Sequence, residues 1–110
     1  MIFISNSKRK STKNKRLDEF KKKKTKPGKG HPAYIYQKIG DNYVYVGITH
    51  SSITNDTKNI RLEKNPNPND NRNAYFIPKP SKEKISNFGR KYTNWTMSDS
   101  DKKKIKNLKK

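Results

Sequence analysis

The chain has 110 residues, no cysteine and a formal net charge of +19, from 28 Lys and Arg against 9 Asp and Glu. This length allows one small domain with tails, and the lack of cysteine excludes a disulfide framework and a thiolate metal site. The charge favours a polyanionic partner, nucleic acid first and a membrane surface second, although codon bias in an AT-rich genome would also enrich lysine.

Charge and aromatic residues are distributed unevenly along the chain. Residues 1–30 carry a net charge of +10 and residues 98–110 one of +4, whereas 31–97 contain all six tyrosines, the one tryptophan and both histidines. We expect a small α+β domain at 31–97, between a basic, largely disordered arm at 1–30 and a basic C-terminal helix at 98–110. A weak helix at 13–24 is the alternative for the arm. The opening MIFIS is too short for a signal peptide or a membrane span, which predicts a cytoplasmic protein without a membrane partner.

The stretch YIYQKIGDNYVYVGIT (34–49) predicts a β-hairpin on which a small antiparallel sheet is built. A two-residue turn at Asp41 and Asn42 suits type I′, and it places Gly40 opposite Tyr43. Because side chains alternate along a strand, aliphatic residues would share one face: Ile35, Ile39, Val44, Val46 and Ile48. The opposite face would carry Tyr34, Tyr36, Lys38, Tyr43, Tyr45 and Thr49.

Both histidines fall at the end of this hairpin away from the turn. The same register puts His50 opposite Ala33, with His31 two residues further along. Cross-strand and along-strand spacings then separate the two imidazoles by roughly 6–9 Å.

Later segments predict two more strands and a short helix. The alternating segments 59–63 and 74–78 are typical of strands, and the Pro- and Asn-rich segment 64–73 between them is a loop. A short helix is expected through Ile85 and Phe88.

The C-terminal segment predicts a second helix. Ser98 followed by Asp101 is a capping pattern, and a helix from Asp99 would place Ile105 and Leu108 on one side. Its acids lie near the start and its lysines near the end, as the helix dipole favours. The expected fold is therefore α+β, a small antiparallel sheet with one or two short helices and basic tails.

Two nuclease families resemble parts of this sequence. The hairpin resembles the two-strand signature of the GIY-YIG nucleases, with Tyr36 in place of the first tyrosine and Tyr45-Val46-Gly47 in place of the second triplet. That resemblance implies a metal-dependent DNA endonuclease, with an arginine on a following helix and a glutamate metal ligand, for which Glu83 is the candidate.

A second resemblance covers about 65 residues of the chain, through GHPAYIYQKIG, YVGITHS, NPNPNDNRNAYF and NFGRKYTNW. These segments resemble the small basic ribonucleases of the barnase–EndoU–colicin–RelE group, which occur in toxins, phages and mobile elements. The resemblance implies RNA cleavage without a metal or cofactor, and a neutralising protein or a ribonucleoprotein as a possible partner.

Metal-independent RNA cleavage needs a base, an acid and cations that hold the phosphate. His31 and His50 are the candidate acid and base, because histidine titrates near neutrality, and Lys38 completes the candidate catalytic set. The candidate phosphate contacts are Lys38, Arg61, Arg90 and Lys91. The tyrosines expected to stack on bases or donate to phosphate are Tyr34, Tyr36 and Tyr45. The carboxylates of 31–97 show no metal-ligand spacing, so no metal or cofactor is expected.

Three functions remain open from the sequence. The leading one is a metal-independent endoribonuclease; the others are a GIY-YIG-like DNA endonuclease and a non-enzymatic protein that binds RNA, DNA or a ribonucleoprotein. Two plainer interpretations also stand, in which the tyrosines pack as a second core and His50 is a solvated residue at a strand end.

Overall fold

The computed structural model describes residues 14–24 and 30–108. Half of these residues belong to antiparallel strands, with one α-helix and one turn of 3₁₀-helix at Ile85–Asn87, so the expected α+β class is confirmed. In chain order the strands are β1 Asn14–Lys24, β2 Gly30–Ile39, β3 Asn42–Thr49, β4 Ile53–Thr54, β5 Thr57–Lys58, β6 Ile60–Arg61, β7 Tyr75–Phe76, β8 Ser81–Lys84 and β9 Phe88–Lys91, and the helix α1 is Asp99–Lys106.

Seven of the strands form one sheet in the order β6-β7-β3-β2-β1-β9, with β8 also paired to β3. The outer edge of β3 is shared, because β8 pairs with Asn42–Tyr45 and β7 with Ile48–Thr49. Strands β4 and β5 form a separate two-stranded hairpin. Within the described ranges, no helix is long and apolar enough to cross a membrane.

Strand β1 corrects the expectation of a disordered or weakly helical arm for residues 14–24. It lies between β2 and β9, and Phe20 at its centre is only 2 % exposed. The lysine run is tolerated because successive side chains point to opposite faces of the sheet, which separates like charges. Lys21 donates to the hydroxyl of Tyr43 at 3.0 Å, and the ammonium of Lys23 lies 4.0 Å from a carboxylate oxygen of Glu83. The rest of the expected arm, 1–13 and 25–29, lies outside the described residues.

The β2–β3 hairpin forms as predicted, but with a different turn and register. Gly40 has a φ of 59° and is the first of two turn residues, so Ile39 pairs with Asn42. Glycine adopts this left-handed conformation without steric cost, which makes Gly40-Asp41 the better turn. A bulge at Tyr36 then shifts the register once more.

The corrected register overturns the predicted separation of aliphatic and tyrosine faces. Tyr34 pairs with Val46, and both are buried on the same face of the sheet. Ile35 pairs with Tyr45 on the opposite face, where Ile35 is fully buried. The plainer interpretation, that tyrosines pack in the core, is correct for Tyr34, which is 3 % exposed, and for Tyr43, which is 8 % exposed.

Two hydrophobic clusters cover the two faces of the sheet. The larger one consists of Phe20, Tyr34, Val46, Ile48, Leu62, Ala74, Phe76, Met97 and Ile105. The smaller one consists of Ala33, Ile35, Tyr43 and Phe88. Because Phe20 and Ile105 both belong to the larger cluster, the core extends beyond the expected limits of 31–97.

Helix α1 is confirmed where the sequence placed it. The hydroxyl of Ser98 accepts from the backbone N–H of Asp101 at 3.2 Å, and Ile105 is 2 % exposed. The fully buried carboxylate of Asp101 accepts from the backbone N–H of Glu63 at 2.8 and 3.0 Å and lies 3.2 Å from the ammonium of Lys104. The helix is therefore fixed to the segment after β6 by a satisfied buried charge.

The segment 81–91 differs from the predicted helix. Only the single 3₁₀ turn at Ile85–Asn87 is helical, and Phe88 begins β9. The backbone of Phe88 is extended because it pairs with Lys23 of β1 at the edge of the sheet. Its ring packs edge-on against Tyr43 at 5.1 Å and Tyr45 at 5.3 Å. The strands predicted at 59–63 and 74–78 are present as β6 and β7.

The environment of Tyr34 makes the free energy of unfolding depend on pH in the alkaline range. Burial and then the charge of Asp18, to which the phenol donates at 3.0 Å, raise the pKa of Tyr34. A raised folded-state pKa contributes stability below the unfolded value of about 10, and that stability is lost as the pH rises toward the folded value. We expect the free energy of unfolding to fall less steeply above pH ~10 in Tyr34→Phe than in the wild type. Denaturant titrations of both proteins measure this.

The lysines that titrate in the same range are common to both proteins, so the difference in slope reports Tyr34. Parallel profiles above this pH would contradict the prediction.

Candidate functional site

A pocket of about 300 Å³ lies at the end of the β2–β3 hairpin away from its turn. We call it the histidine pocket, and the lining residues used below are His31, His50, Asn67, Asp70, Arg72 and Trp95. The structure thus brings the two candidate histidines together. In the observed register Ala33 pairs with Gly47 rather than with His50, and continuing that register places His31 beside Thr49.

The imidazole of His50 is held between two acceptors. Its Nδ1 lies 3.1 Å from the carbonyl oxygen of Asn73, and its Nε2 lies 3.2 Å from a carboxylate oxygen of Asp70. A carbonyl and a carboxylate can only accept, so the ring satisfies both when it carries a proton on each nitrogen. His50 is therefore placed to donate from both nitrogens when it is protonated, and its side chain remains 43 % exposed.

Asp70 is itself paired with Arg72. The Nε and Nη2 atoms of Arg72 donate to the two carboxylate oxygens at 3.0 and 2.8 Å, and its backbone N–H donates at 3.0 Å. These hydrogen bonds hold the pKa of Asp70 well below its usual range. The carboxylate is therefore ionised at neutral pH. Two thirds of the Arg72 side chain is open to solvent, at 67 % exposure.

The loop that supplies Asp70 and Arg72 is shaped by its asparagines. Asn65 accepts from the backbone N–H of Asn67 at 2.9 Å, and Asn67 accepts from that of Asn69 at 2.9 Å. Such side-chain turns replace the missing backbone ladder. Asn65 also donates to the carbonyl oxygen of Arg72 at 3.0 Å, which closes the loop on itself. The loop predicted at 64–73 is therefore ordered enough to position charged groups.

Trp95 supplies an aromatic wall of the histidine pocket. Its ring stacks on Tyr92 with centroids 4.5 Å apart and packs against Phe20 at 5.5 Å. The next residue, Thr96, donates its backbone N–H to the carbonyl oxygen of the buried Pro66, which joins this segment to the loop. A half-buried indole at the edge of a pocket is a surface on which a base can stack.

Of the predicted basic residues, only Arg61 lies beside the histidine pocket. Arg61 donates to the side-chain oxygen of Asn73 at 3.1 Å, and the backbone of Asn73 holds His50. Lys38 lies near the turn, seven residues along β2 from His31 or roughly 23 Å, so the structure does not place it in the candidate catalytic set. Arg90 lies over the ring of Tyr92 and lines neither cavity.

The predicted tyrosines are split between the two faces of the sheet. Tyr34 and Tyr36 line a second, larger cavity of about 800 Å³, which we call the groove. Its other polar or charged lining residues are Arg16, Asp18, Glu19, Gln37, Lys91, Lys102 and Lys106. Tyr45 packs against Phe88 in the smaller cluster, away from both cavities.

Three lining residues of the histidine pocket were not among the site residues predicted from the sequence: Asp70, Arg72 and Trp95. An acid and an arginine two residues apart after asparagine turns is a local signal for the Asp70–Arg72 pair. No comparable local signal places Trp95, because its position depends on packing against Tyr92 and Phe20.

Metal ligands are not clustered in the described part of the chain. Residues 14–24 and 30–108 contain no group of three or more His, Cys, Asp or Glu side chains that could hold an ion. Glu83 accepts from the side chain of Asn87 at 2.8 Å. The hairpin β4–β5 follows β3 where the GIY-YIG resemblance implies a helix.

The histidine pocket therefore combines an imidazole held between two acceptors, a second imidazole, an exposed guanidinium and an aromatic wall. These groups can hold a phosphate and move protons beside it. No protein-family model, curated protein or solved structure matches the chain.

Proposed function

We propose that the protein is an endoribonuclease that cleaves RNA at the histidine pocket without a metal ion. The observation that supports this most strongly is that one pocket is lined by both histidines of the chain together with Arg72. The proposal includes a cytoplasmic location, where RNA is available as a substrate.

The proposed reaction transfers the phosphodiester from one oxygen of RNA to another. A base removes the proton from the 2′-hydroxyl, and the 2′-oxygen attacks phosphorus as the bond to the 5′-oxygen breaks. An acid gives a proton to the leaving 5′-oxygen. The products are a 2′,3′-cyclic phosphate and a 5′-hydroxyl end.

His31 suits the role of base, and His50 the role of acid. His31 is exposed, and its ring forms no hydrogen bond within 14–24 and 30–108, so a ring nitrogen can take up a proton. His50 has an acceptor at each ring nitrogen, so it serves as acid when the leaving 5′-oxygen replaces one of these two acceptors. Because Arg72 keeps Asp70 ionised, Asp70 orients the ring without taking up the proton itself.

Cations around the pocket can stabilise the negative charge that builds up on the phosphate. The side chain of Arg72 is largely exposed, and the guanidinium of Arg61 donates to the side chain of Asn73, whose carbonyl oxygen holds His50. Bidentate donors of this kind match the phosphate oxygens. The wall formed by Trp95 favours an unpaired base next to the cleaved bond, since a stacked duplex would not present one.

Cleavage in the absence of divalent metal tests the proposal. We expect the wild-type protein to cut an end-labelled single-stranded RNA near pH 7 in excess EDTA, and to leave 2′,3′-cyclic phosphate ends. The matched control is a 2′-O-methyl strand of the same sequence, which should be bound but not cut because its nucleophile is blocked.

Two results would contradict the proposal. Cleavage that requires magnesium and extends to DNA would indicate a metal-dependent nuclease. Shifted but intact RNA under all conditions would indicate a non-enzymatic binding protein.

A further inference from the structure

We infer that the groove is a second RNA-binding site, which holds an unpaired nucleotide of the same strand a few positions away from the cleaved bond. The inference rests on the proposed function for its choice of ligand, but it concerns binding and not cleavage. Its base would stack on Tyr36, and its phosphates would lie at Arg16 and Lys106.

The groove and the histidine pocket open on the same face of the sheet. Along β2, Pro32 lines the pocket, whereas Tyr34 and Tyr36 line the groove. Alternate residues of a strand share a face, and four residues of strand span roughly 13 Å. That distance corresponds to about four stacked nucleotides at ~3.4 Å each. One strand of RNA can therefore reach both cavities.

The C-terminal segment supplies lining residues to both cavities on this face. Trp95 lines the histidine pocket, while Lys102 and Lys106 of α1 line the groove. The same segment therefore borders both cavities.

Tyr36 offers a supported aromatic platform in the groove. Its ring lies nearly parallel to that of Tyr34, with centroids 6.2 Å apart and planes at 17°. Tyr34 is itself fixed, because it is buried and donates its hydroxyl to Asp18. Tyr36 is only half-buried, so part of its ring is available to a base without reorganisation of the core.

The charges of the groove leave cations for phosphate. Its two acids are already paired, since Lys102 lies 2.7 Å from Asp18 and Lys91 lies 3.8 Å from Glu19. Arg16 and Lys106 form no ion pair within the described residues. A neutral ligand would leave these two cations unpaired, and an acid without an aromatic ring would leave Tyr36 unused. A nucleotide engages both, which is why we favour it.

The first test measures binding of an uncleavable single strand, a 2′-O-methyl oligonucleotide of about ten nucleotides, by fluorescence anisotropy. We expect Tyr36→Leu to weaken binding about tenfold, since stacking on an aromatic ring contributes of this order. Tyr36→Phe is the matched control and should bind within about twofold of the wild type, because it keeps the ring. Wild-type affinity in Tyr36→Leu, or an equal loss in Tyr36→Phe, would overturn the inference.

The second test uses the dependence of affinity on salt, and it remains informative if Tyr36→Leu is poorly folded. Lys106→Gln should lower the slope of log affinity against log salt by about 0.7, the value for one phosphate contact on a single strand. Lys84→Gln removes an equally exposed charge that lines neither cavity, and it should leave the slope unchanged. Equal slopes in the two variants would overturn the inference.

Failure of the groove and failure of the proposed activity give different results. If the wild type does not cut RNA but Tyr36→Leu binds the uncleavable strand more weakly than the wild type, only the proposed activity is contradicted. A protein that cuts RNA in EDTA and binds equally with and without the Tyr36 ring contradicts the groove alone.

Discussion

Replacing either histidine by alanine is expected to lower the rate of RNA cleavage by about 10²–10⁴-fold, the usual contribution of a positioned acid or base. His31→Ala removes the only group of the histidine pocket assigned as base, and His50→Ala removes the imidazole held by Asp70 and Asn73. Initial rates on labelled RNA in EDTA measure both effects. Affinity for the 2′-O-methyl strand should change little, because Arg61 and Arg72 stay in place.

Lys38→Ala is the matched control for these variants. It removes a basic side chain from the same hairpin, but at the turn end, where Lys38 pairs with Tyr43. We expect it to cut RNA at the wild-type rate. If both histidine variants cut as fast as the wild type, or if Lys38→Ala is as damaged as they are, the assignment of acid and base is wrong.

The hairpin could be predicted from sequence, and its register could not. Alternation over 34–49 is enough to place two strands and a turn. Asp41-Asn42 and Gly40-Asp41 are both plausible turns locally, and the positive φ of Gly40 selects the second. The bulge at Tyr36 cannot be inferred from the hairpin alone, because it depends on how β1 and β3 pack on either side of β2.

Strand β1 could not be predicted from local sequence either. A run of lysines favours a solvated tail when it is considered locally, and the two apolar residues Leu17 and Phe20 do not alter that. The contacts that make the strand favourable come from far along the chain, from Tyr43, Glu83 and Trp95. No local pattern in 14–24 encodes them.

Only the part of the candidate site that depends on local structure could be predicted from the sequence. The hairpin itself brings His31 and His50 to one end, so their proximity follows from local structure. Asp70, Arg72 and Trp95 reach the same pocket through the loop and the C-terminal segment, whose positions are set by tertiary hydrogen bonds to His50 and Pro66.

Phe20 gives the largest expected effect on stability, and it tests the correction at β1. Its ring is 2 % exposed and packs against Tyr34 at 5.0 Å and Trp95 at 5.5 Å. Removing a buried phenylalanine side chain costs about 3–5 kcal/mol, which approaches the whole free energy of unfolding of a small domain. We therefore expect Phe20→Ala to be largely unfolded at 37 °C, as circular dichroism and denaturant titration would show.

Leu17→Ala is the control from the same strand. Leu17 is only partly buried at the edge of the smaller cluster, so its loss should cost about 1 kcal/mol and leave the fold intact. If residues 14–24 were a solvated tail, the two substitutions would be equally harmless.

Phe20→Leu distinguishes the effect of Phe20 on folding from its effect on cleavage. It keeps most of the apolar volume but removes the ring that packs against Trp95. That variant should fold and yet cut RNA more slowly, since a displaced indole no longer forms the wall of the histidine pocket.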